Sequence, residues 1–136
     1  MTIFGAIGIA STGITVHRKW MDAISDNISN INTVKPTSES AFQARYVIAQ
    51  AVDYGSGSGG VQVGGIMLSG KTDGRVVYEP ANPLADAQGN VRYPDIDLAS
   101  QMTQLIMAQR GYEANLSVVD RAQSAYQAAI QLGKNA

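Results

Sequence analysis

Cysteine is absent from this chain of 136 residues, and histidine occurs once, as His17. The lack of cysteine excludes disulfides, thiolate zinc sites and cysteine nucleophiles. The single histidine excludes a metal site built on two histidines and limits any serine–histidine triad to the surroundings of His17. A packed or register-setting polar residue is the favoured interpretation of His17, because it falls on a helical stripe. We therefore predict that the protein is not an enzyme and has no catalytic residue, metal site or cofactor.

Charge is also scarce, since 15% of the residues are charged against roughly a quarter in typical soluble domains. The formal net charge of -1 gives no electrostatic reason to bind nucleic acid or anionic lipid. No apolar run approaches the length of a membrane span. The N-terminal stretch "MTIFGAIGIASTG" lacks the basic region and clear cleavage site of a secretory signal. A surface so poor in charge suggests that partner proteins cover much of it.

Apolar residues near the N-terminus recur alternately every four and every three positions, the heptad pattern of a helix that packs along one stripe. These positions are Ile3, Ile7, Ala10, Ile14, His17, Met21, Ile24, Ile28 and Ile31. The C-terminal part repeats the pattern at Leu98, Met102, Leu105, Gln109, Tyr112, Leu116, Val119, Gln123, Tyr126, Ile130 and Gly133. We call these two sets the heptad stripes and predict that they pair the terminal helices as a coiled coil.

Two features indicate that this helical pair is not complete alone. Gly5, Gly8 and Gly13 weaken the first half of the N-terminal helix, each by up to about 1 kcal/mol relative to alanine. The C-terminal helix carries a second apolar face at Ile106, Val118, Ala122, Ala125 and Ala129, and a helix that is apolar on two sides expects neighbours on both. The neighbours are either other helices of the same monomer or other subunits, and the pattern favours a multi-subunit assembly.

The middle of the chain is predicted to form β-structure. Four stretches are predicted strands: "AFQARYVIAQAV", "VQVGGIML", "RVVYE" and "VRYP". The stretch "DYGSGSGG" is a flexible linker or a long hairpin tip, and Asp95 or Asp97 is placed to cap the final helix. We predict an α+β fold in which residues 1–32 and 97–136 form the paired helices and residues 33–96 form a β-rich middle region.

The stretch "GIMLSGKT", residues 65–72, matches the phosphate-binding loop pattern letter for letter. Such a loop joins a strand to a helix, whereas this one leads into the turn-like Asp73-Gly74 and another predicted strand. Its variable positions are bulky where the folded-back loop usually has small residues. We therefore predict no nucleotide binding and interpret "SGKTDG" as a hairpin turn.

Three stretches resemble flagellar basal-body rod proteins, and in particular the short member that forms the proximal rod. They are "MDAISDNISNINT", "YEPANPLADAQGNVRYPDIDL" and "MAQRGYEANLSVVDRAQSAYQAAIQLGK". This chain departs from the usual family pattern at Asp26, at "VKPTSESAF" and at Asn90. These departures concern loop contacts more than the assembly role.

The resemblance implies a structural axial protein that assembles helically into the proximal rod, transmits torque and encloses the export channel. It implies export without a cleaved signal, location in the basal body across the periplasm, and three kinds of partner: other rod and basal-body proteins, further copies of the chain, and the flagellar export apparatus. An α+β interaction module or secreted adaptor that does not assemble into a rod is the alternative. The predicted assembly interface comprises Ile7, Ile14, Met21, Ile24, Ile28, Ile31, Leu98, Met102, Leu105, Tyr112, Leu116, Val119, Tyr126 and Ile130.

Overall fold

A computed structural model describes residues 3–55 and 58–134 of the chain. These residues form two helices and four strands, whose bounds are α1 Ile3–Asn30, β1 Ala44–Gly55, β2 Ser58–Ser69, β3 Arg75–Tyr78, β4 Asn90–Tyr93 and α2 Leu98–Lys134. The predicted α+β fold is confirmed: two long terminal helices enclose a small antiparallel β insertion, and the helices pack against each other.

The start of α2 is capped by Asp97. The Asp97 carboxylate accepts a hydrogen bond from the backbone N–H of Ser100 at 2.9 Å, which satisfies one of the free donors of the first helical turn. Of the two predicted capping residues, Asp97 therefore fills the role. Pro94 lies just before it and is fully buried.

Strands β1 and β2 form a long antiparallel hairpin, which is one of the two interpretations of the glycine-rich stretch between them. The register shifts between Ile48 and Ala49, where Ile48 pairs with Gly65 and Ala49 with Val63, so that Gly64 is the extra residue of a bulge. The glycine-rich stretch is the tip of this hairpin, and its residues 56–57 lie outside the described residues.

The stretch "SGKTDG" is a turn, but the prediction that it closes a hairpin is wrong. The backbone N–H of Gly74 donates to the Lys71 carbonyl at 2.9 Å, yet the strands on either side belong to different sheets. Strand β2 pairs with β1, whereas β3 pairs with β4. Gly70 and Gly74 both have positive φ, the region open to glycine, and these two residues turn the chain from the first sheet into the second.

Helix α1 lies between α2 on one side and the β1–β2 hairpin on the other. Its buried residues are Ala10, Gly13, Val16, Ala23, Ile24 and Asn27. Only Gln101 and Ala108 are buried on α2 among its described residues, because no further element packs on most of its surface. The core is therefore centred on α1.

Candidate assembly surface

The two helices run antiparallel in constant register. The Asn27 side chain of α1 bonds to Gln101 of α2. His17 lies against Gly111; these residues are ten positions before Asn27 and ten positions after Gln101. Near the far end, the rings of Phe4 and Tyr126 meet edge to face with centroids 5.4 Å apart.

Two glycines allow the helices to approach closely. A Cβ atom added at Gly13 would lie 2.6 Å from the Asn115 side-chain oxygen, and one added at Gly111 would overlap the His17 ring. The His17 ring also stacks on Trp20, and its Nδ1 atom is enclosed without a hydrogen-bond partner among the described residues. His17 is thus a packed residue of the helix contact, as its place on the heptad stripe predicts.

A buried pair of amides joins α1, α2 and the hairpin at one point. The Asn27 amide nitrogen donates to the Arg45 carbonyl and to Gln101 Oε1, each at 3.0 Å. Its oxygen accepts from the Arg45 backbone N–H at 2.7 Å, so Asn27 occupies the outer edge of β1 as a neighbouring strand would. Gln101 also donates to the Tyr46 hydroxyl at 3.4 Å. Asn27 is 0% and Gln101 1% exposed; we call them the amide pair.

An ion pair lies beside the amide pair, between Asp26 and Arg45 at 2.6 Å. Both side chains are partly exposed, so the contribution to stability is small. It joins the base of the hairpin to α1.

The predicted interface residues fall into three groups in the single chain. Ile24 is buried. The half-buried residues are Ile7, Ile14, Met21, Ile28, Ile31, Leu105, Tyr112 and Val119. The exposed residues are Leu98, Met102, Leu116, Tyr126 and Ile130. Their role as an assembly interface stays a prediction, because the structure contains one chain.

The contact between the helices is rotated relative to the heptad stripes. Part of the α1 stripe is buried, at Ala10 and Ile24. At other points of the contact, on both helices, the buried residue is the one just before the stripe residue. Gly13, Asn27, Gln101 and Ala108 are buried, and each immediately precedes a stripe residue. These residues are small or carry amides, so the helices meet through them while the bulkier neighbours point to the side.

Helical geometry places these displaced stripe residues on a single side of the pair. In antiparallel helices, the residue that follows a contact position lies on the same side of both helices, because each helix advances by about 100° per residue. We call this surface the apolar flank; it consists of Ile7, Ile14, Met21 and Ile28 from α1 and Leu98, Met102 and Leu116 from α2.

The hairpin packs on the opposite side of α1. The Val61 N–H donates to the Thr12 hydroxyl at 3.1 Å, and Val16 and Trp20 line one cavity with Val47 and Ala49 of β1. Thr12 and Val16 directly precede the contact positions Gly13 and His17, whereas the residues of the apolar flank follow contact positions. The flank is therefore the side of the helix pair that the hairpin leaves uncovered.

A separate ordered loop connects β3 to β4. The Asp86 carboxylate accepts hydrogen bonds from the backbone N–H groups of Asn90 and Gln88 and from the Thr37 hydroxyl. The Asn90 N–H is the main cause that lowers the pKa of Asp86 below its ordinary value. At the base of the loop the Tyr93 hydroxyl donates to Glu79 at 2.9 Å, and this bond raises the pKa of Tyr93. The loop is held by its own polar groups together with the hydroxyls of Thr37 and Tyr93.

The other candidates for chemistry are not brought together. Lys71 is exposed in a turn, and the preceding residues up to Ser69 belong to an extended strand, so the stretch lacks the strand-to-helix geometry of a phosphate loop. Within residues 3–55 and 58–134 no group of three histidine, cysteine or acidic side chains is placed to hold a metal ion. Neither described helix is apolar over a length that could cross a membrane.

Comparison with known proteins adds to this geometry. Residues 87–132 match the family described as flagellar basal body rod FlgEFG protein C-terminal. The chain is 31% identical over 136 residues to the flagellar basal-body rod protein FlgC of Salmonella typhimurium, covering 98% of this chain and 100% of the relative.

Two further relatives carry the same name. The Escherichia coli O6:H1 protein is 30% identical over 135 residues, with 98% of this chain and 100% of the relative covered. The Bacillus subtilis protein is 26% identical over 151 residues, with the same shares covered. The match thus extends over both helices and the β insertion, and the chain belongs to the FlgC family of flagellar basal-body rod proteins.

Proposed function

We propose that this chain is a structural subunit of the flagellar basal body, which assembles with other rod proteins into the proximal rod. The observation that carries the proposal is the apolar flank on a chain of this family. Leu98 and Met102 are about half exposed, at 48% and 49%, although they continue a heptad pattern. Large apolar residues that are aligned and exposed in one chain mark a surface that other chains cover.

The distribution of charge supports the same role. The charged residues of α2 lie away from α1, as Arg110, Glu113 and Arg121 do, and all three are exposed. The flank residues include no charged side chain. A neighbouring helix packed on the flank would therefore bury mainly apolar surface, with Glu113 and Asp120, each one turn from Leu116, at its border.

The proposal also specifies how the subunits assemble, which partners they have and where the assembly is located. Subunits join by heterologous contacts that do not close, which gives a helical tube segment around an export channel. The partners are other rod and basal-body proteins, further copies of this chain, and the export apparatus that delivers it. The assembled protein lies in the periplasm, transmits torque and acts without catalysis.

Complementation of a deletion strain tests the proposal. The wild-type protein is expected to restore swimming and rods in purified basal bodies. Leu116→Asp, which places a carboxylate on the flank, is expected to abolish both. Thr103→Asp places the same charge on the exposed outer face of the same helix and is expected to swim.

Lys71→Ala completes the set and tests the phosphate-loop alternative. We expect this variant to swim, because Lys71 lies in an exposed turn. Normal swimming of the deletion strain, or of Leu116→Asp, would contradict the proposed function.

A further inference from the structure

The amide pair lies where the helix contact would otherwise be apolar. A buried amide is unfavourable unless its hydrogen-bonding groups have partners. In this structure both hydrogens of the Asn27 amide and its oxygen have partners, on Arg45 and Gln101. A leucine at either position would fill a similar volume without an amide to satisfy, although a leucine in place of Asn27 would also take these partners from the backbone N–H and carbonyl of Arg45. The amide pair therefore contributes something other than apolar burial.

All hydrogen bonds of the amide pair can form together in only one arrangement of α1, α2 and the hairpin. Rotating or sliding α2 by one residue would separate Gln101 from Asn27 and would bring Met102 toward the contact. Rotating α1 would withdraw Asn27 from both backbone groups of Arg45. Apolar contacts tolerate such shifts, whereas paired amides do not, which is why a buried asparagine can fix the register of a coiled coil.

The heptad stripes define the arrangement that competes with the observed one. Turning each helix by part of one residue step would bring Ile14, Met21 and Ile28 face to face with Met102 and Leu116. That contact would be larger and more apolar, as in a regular coiled coil. It would also consume the apolar flank within one chain.

We propose that Asn27 and Gln101 are the residues that set the register of the helix pair, and that they do so by holding the apolar flank out of the intramolecular contact. This inference deepens the proposed function, because the surface it keeps available is the assembly surface. The register itself is a property of the isolated chain and can be measured without assembly.

The absence of cysteine makes the register measurable by cross-linking. The observed register brings position 13 next to position 115, since a Cβ at Gly13 would lie 2.9 Å from Cγ of Asn115. Gly13→Cys with Asn115→Cys should therefore form a disulfide on mild oxidation of the purified chain. In a second background, Leu116→Cys reports the exposure of the flank through its rate of thiol labelling.

The test compares two double substitutions in both backgrounds. Asn27→Leu with Gln101→Leu removes the amide pair. Ser29→Leu with Thr103→Leu adds leucines at exposed positions of the same two helices, outside the apolar flank, and serves as the control. We expect the control to behave as the parent. We expect the amide-free variant to remain helical, with a severalfold lower disulfide yield at positions 13 and 115 and severalfold slower labelling at position 116.

A rescue variant separates register from general disturbance. Adding Ile14→Gln to the amide-free chain makes the competing contact polar, and we expect it to restore the disulfide yield. An amide-free chain that is unfolded by circular dichroism would overturn the proposal, since the pair would then supply stability and not register. Unchanged cross-linking and labelling would overturn it equally.

The swimming assay distinguishes this inference from the proposed function. If the amide-free chain shifts register and the strain stops swimming, both are supported. If it shifts register and the strain still swims, the register inference stands and the assembly role of the flank is contradicted.

Discussion

The two ends of the helix pair differ in how far a single chain completes them. At the end that holds the amide pair, three elements meet, and Ile24 and Ala108 are 1% and 0% exposed. At the other end the helices meet through an edge-to-face contact of Phe4 with Tyr126, and these side chains are 66% and 43% exposed. Beyond Ala108 no residue of α2 up to position 134 is buried.

This difference shows which part of the molecule has a core of its own. The closed end buries apolar side chains and satisfies its polar groups within the chain. The open end buries Ala10 but leaves most of the remaining stripe residues with little cover, and a helix in that state has little tertiary stabilisation. We infer that the closed end is the folded body of the free protein and that neighbours in the rod complete the open end.

Charge substitutions should show the largest difference in stability between the closed end and the apolar flank. Ile24→Asp places a carboxylate in the closed end without a partner, and we expect a loss of about 4 kcal/mol or more in the free energy of unfolding. Leu116→Asp lies on the apolar flank at 39% exposure, and we expect a loss of about 1 kcal/mol or less in the isolated chain.

Chemical denaturation of the two variants beside the wild-type chain measures both losses. The two substitutions should nevertheless be equally damaging to swimming, one through folding and the other through assembly. Equal losses of stability in the isolated chain would contradict the distinction between the two ends.

Glycine substitutions should change the free energy of unfolding by smaller amounts and with opposite signs at two positions. Gly111→Ala places a methyl group against the His17 ring, and we expect the overpacking to cost about 1 to 2 kcal/mol in unfolding free energy despite a better helix former. Gly8→Ala meets nothing within 4 Å, so we expect a gain of up to about 1 kcal/mol. Thermal unfolding of both variants gives the signs directly, and a stabilising Gly111→Ala would show that the helices do not approach closely there.

The smallest expected effect is that of acid. Low pH should lower the stability of the β3–β4 loop and leave that of the helix pair unchanged. Because the folded state lowers the pKa of Asp86, its ionised form stabilises the fold above the ordinary carboxyl pKa of about 4. That contribution is lost as the pH falls through the lowered folded value.

Unfolding of wild type and Asp86→Asn at pH 3 and pH 6 checks this prediction. We expect the substitution to remove part of the acid sensitivity. Asp120→Asn, at an exposed position of α2, is the control. An Asp86→Asn chain that loses stability toward low pH as steeply as the wild type would contradict it.

The sequence predicts the elements well because each has a strong local signal. The heptad period indicates both helices, the alternation in "ARYVI" indicates β1, and Asp97 is one of two residues placed to cap α2. The turn at "SGKTDG" is predicted, but its connection between two sheets is not, because strand partners are chosen by contacts distant in sequence.

The pattern of apolar residues does not predict which side of each helix faces the other helix. Periodicity locates the stripes, but it does not tell whether an apolar stripe faces the same chain or another one. Here Gly13 and Ala108 permit close approach, and the amide pair adds a directional constraint, so the contact lies partly beside the stripes. A polar residue directly before a stripe residue in both helices, as at Asn27 and Gln101, is the signal that could have indicated it.

Hydrogen exchange at the two ends of the helix pair tests the account most directly. In the free chain we predict that amides of residues 24–30 and 101–108 are protected, while those of residues 4–10 and 116–134 exchange rapidly. In purified basal bodies the second group should become protected as well. Uniform strong protection along both helices of the free chain would contradict the account and would favour a self-contained α+β module.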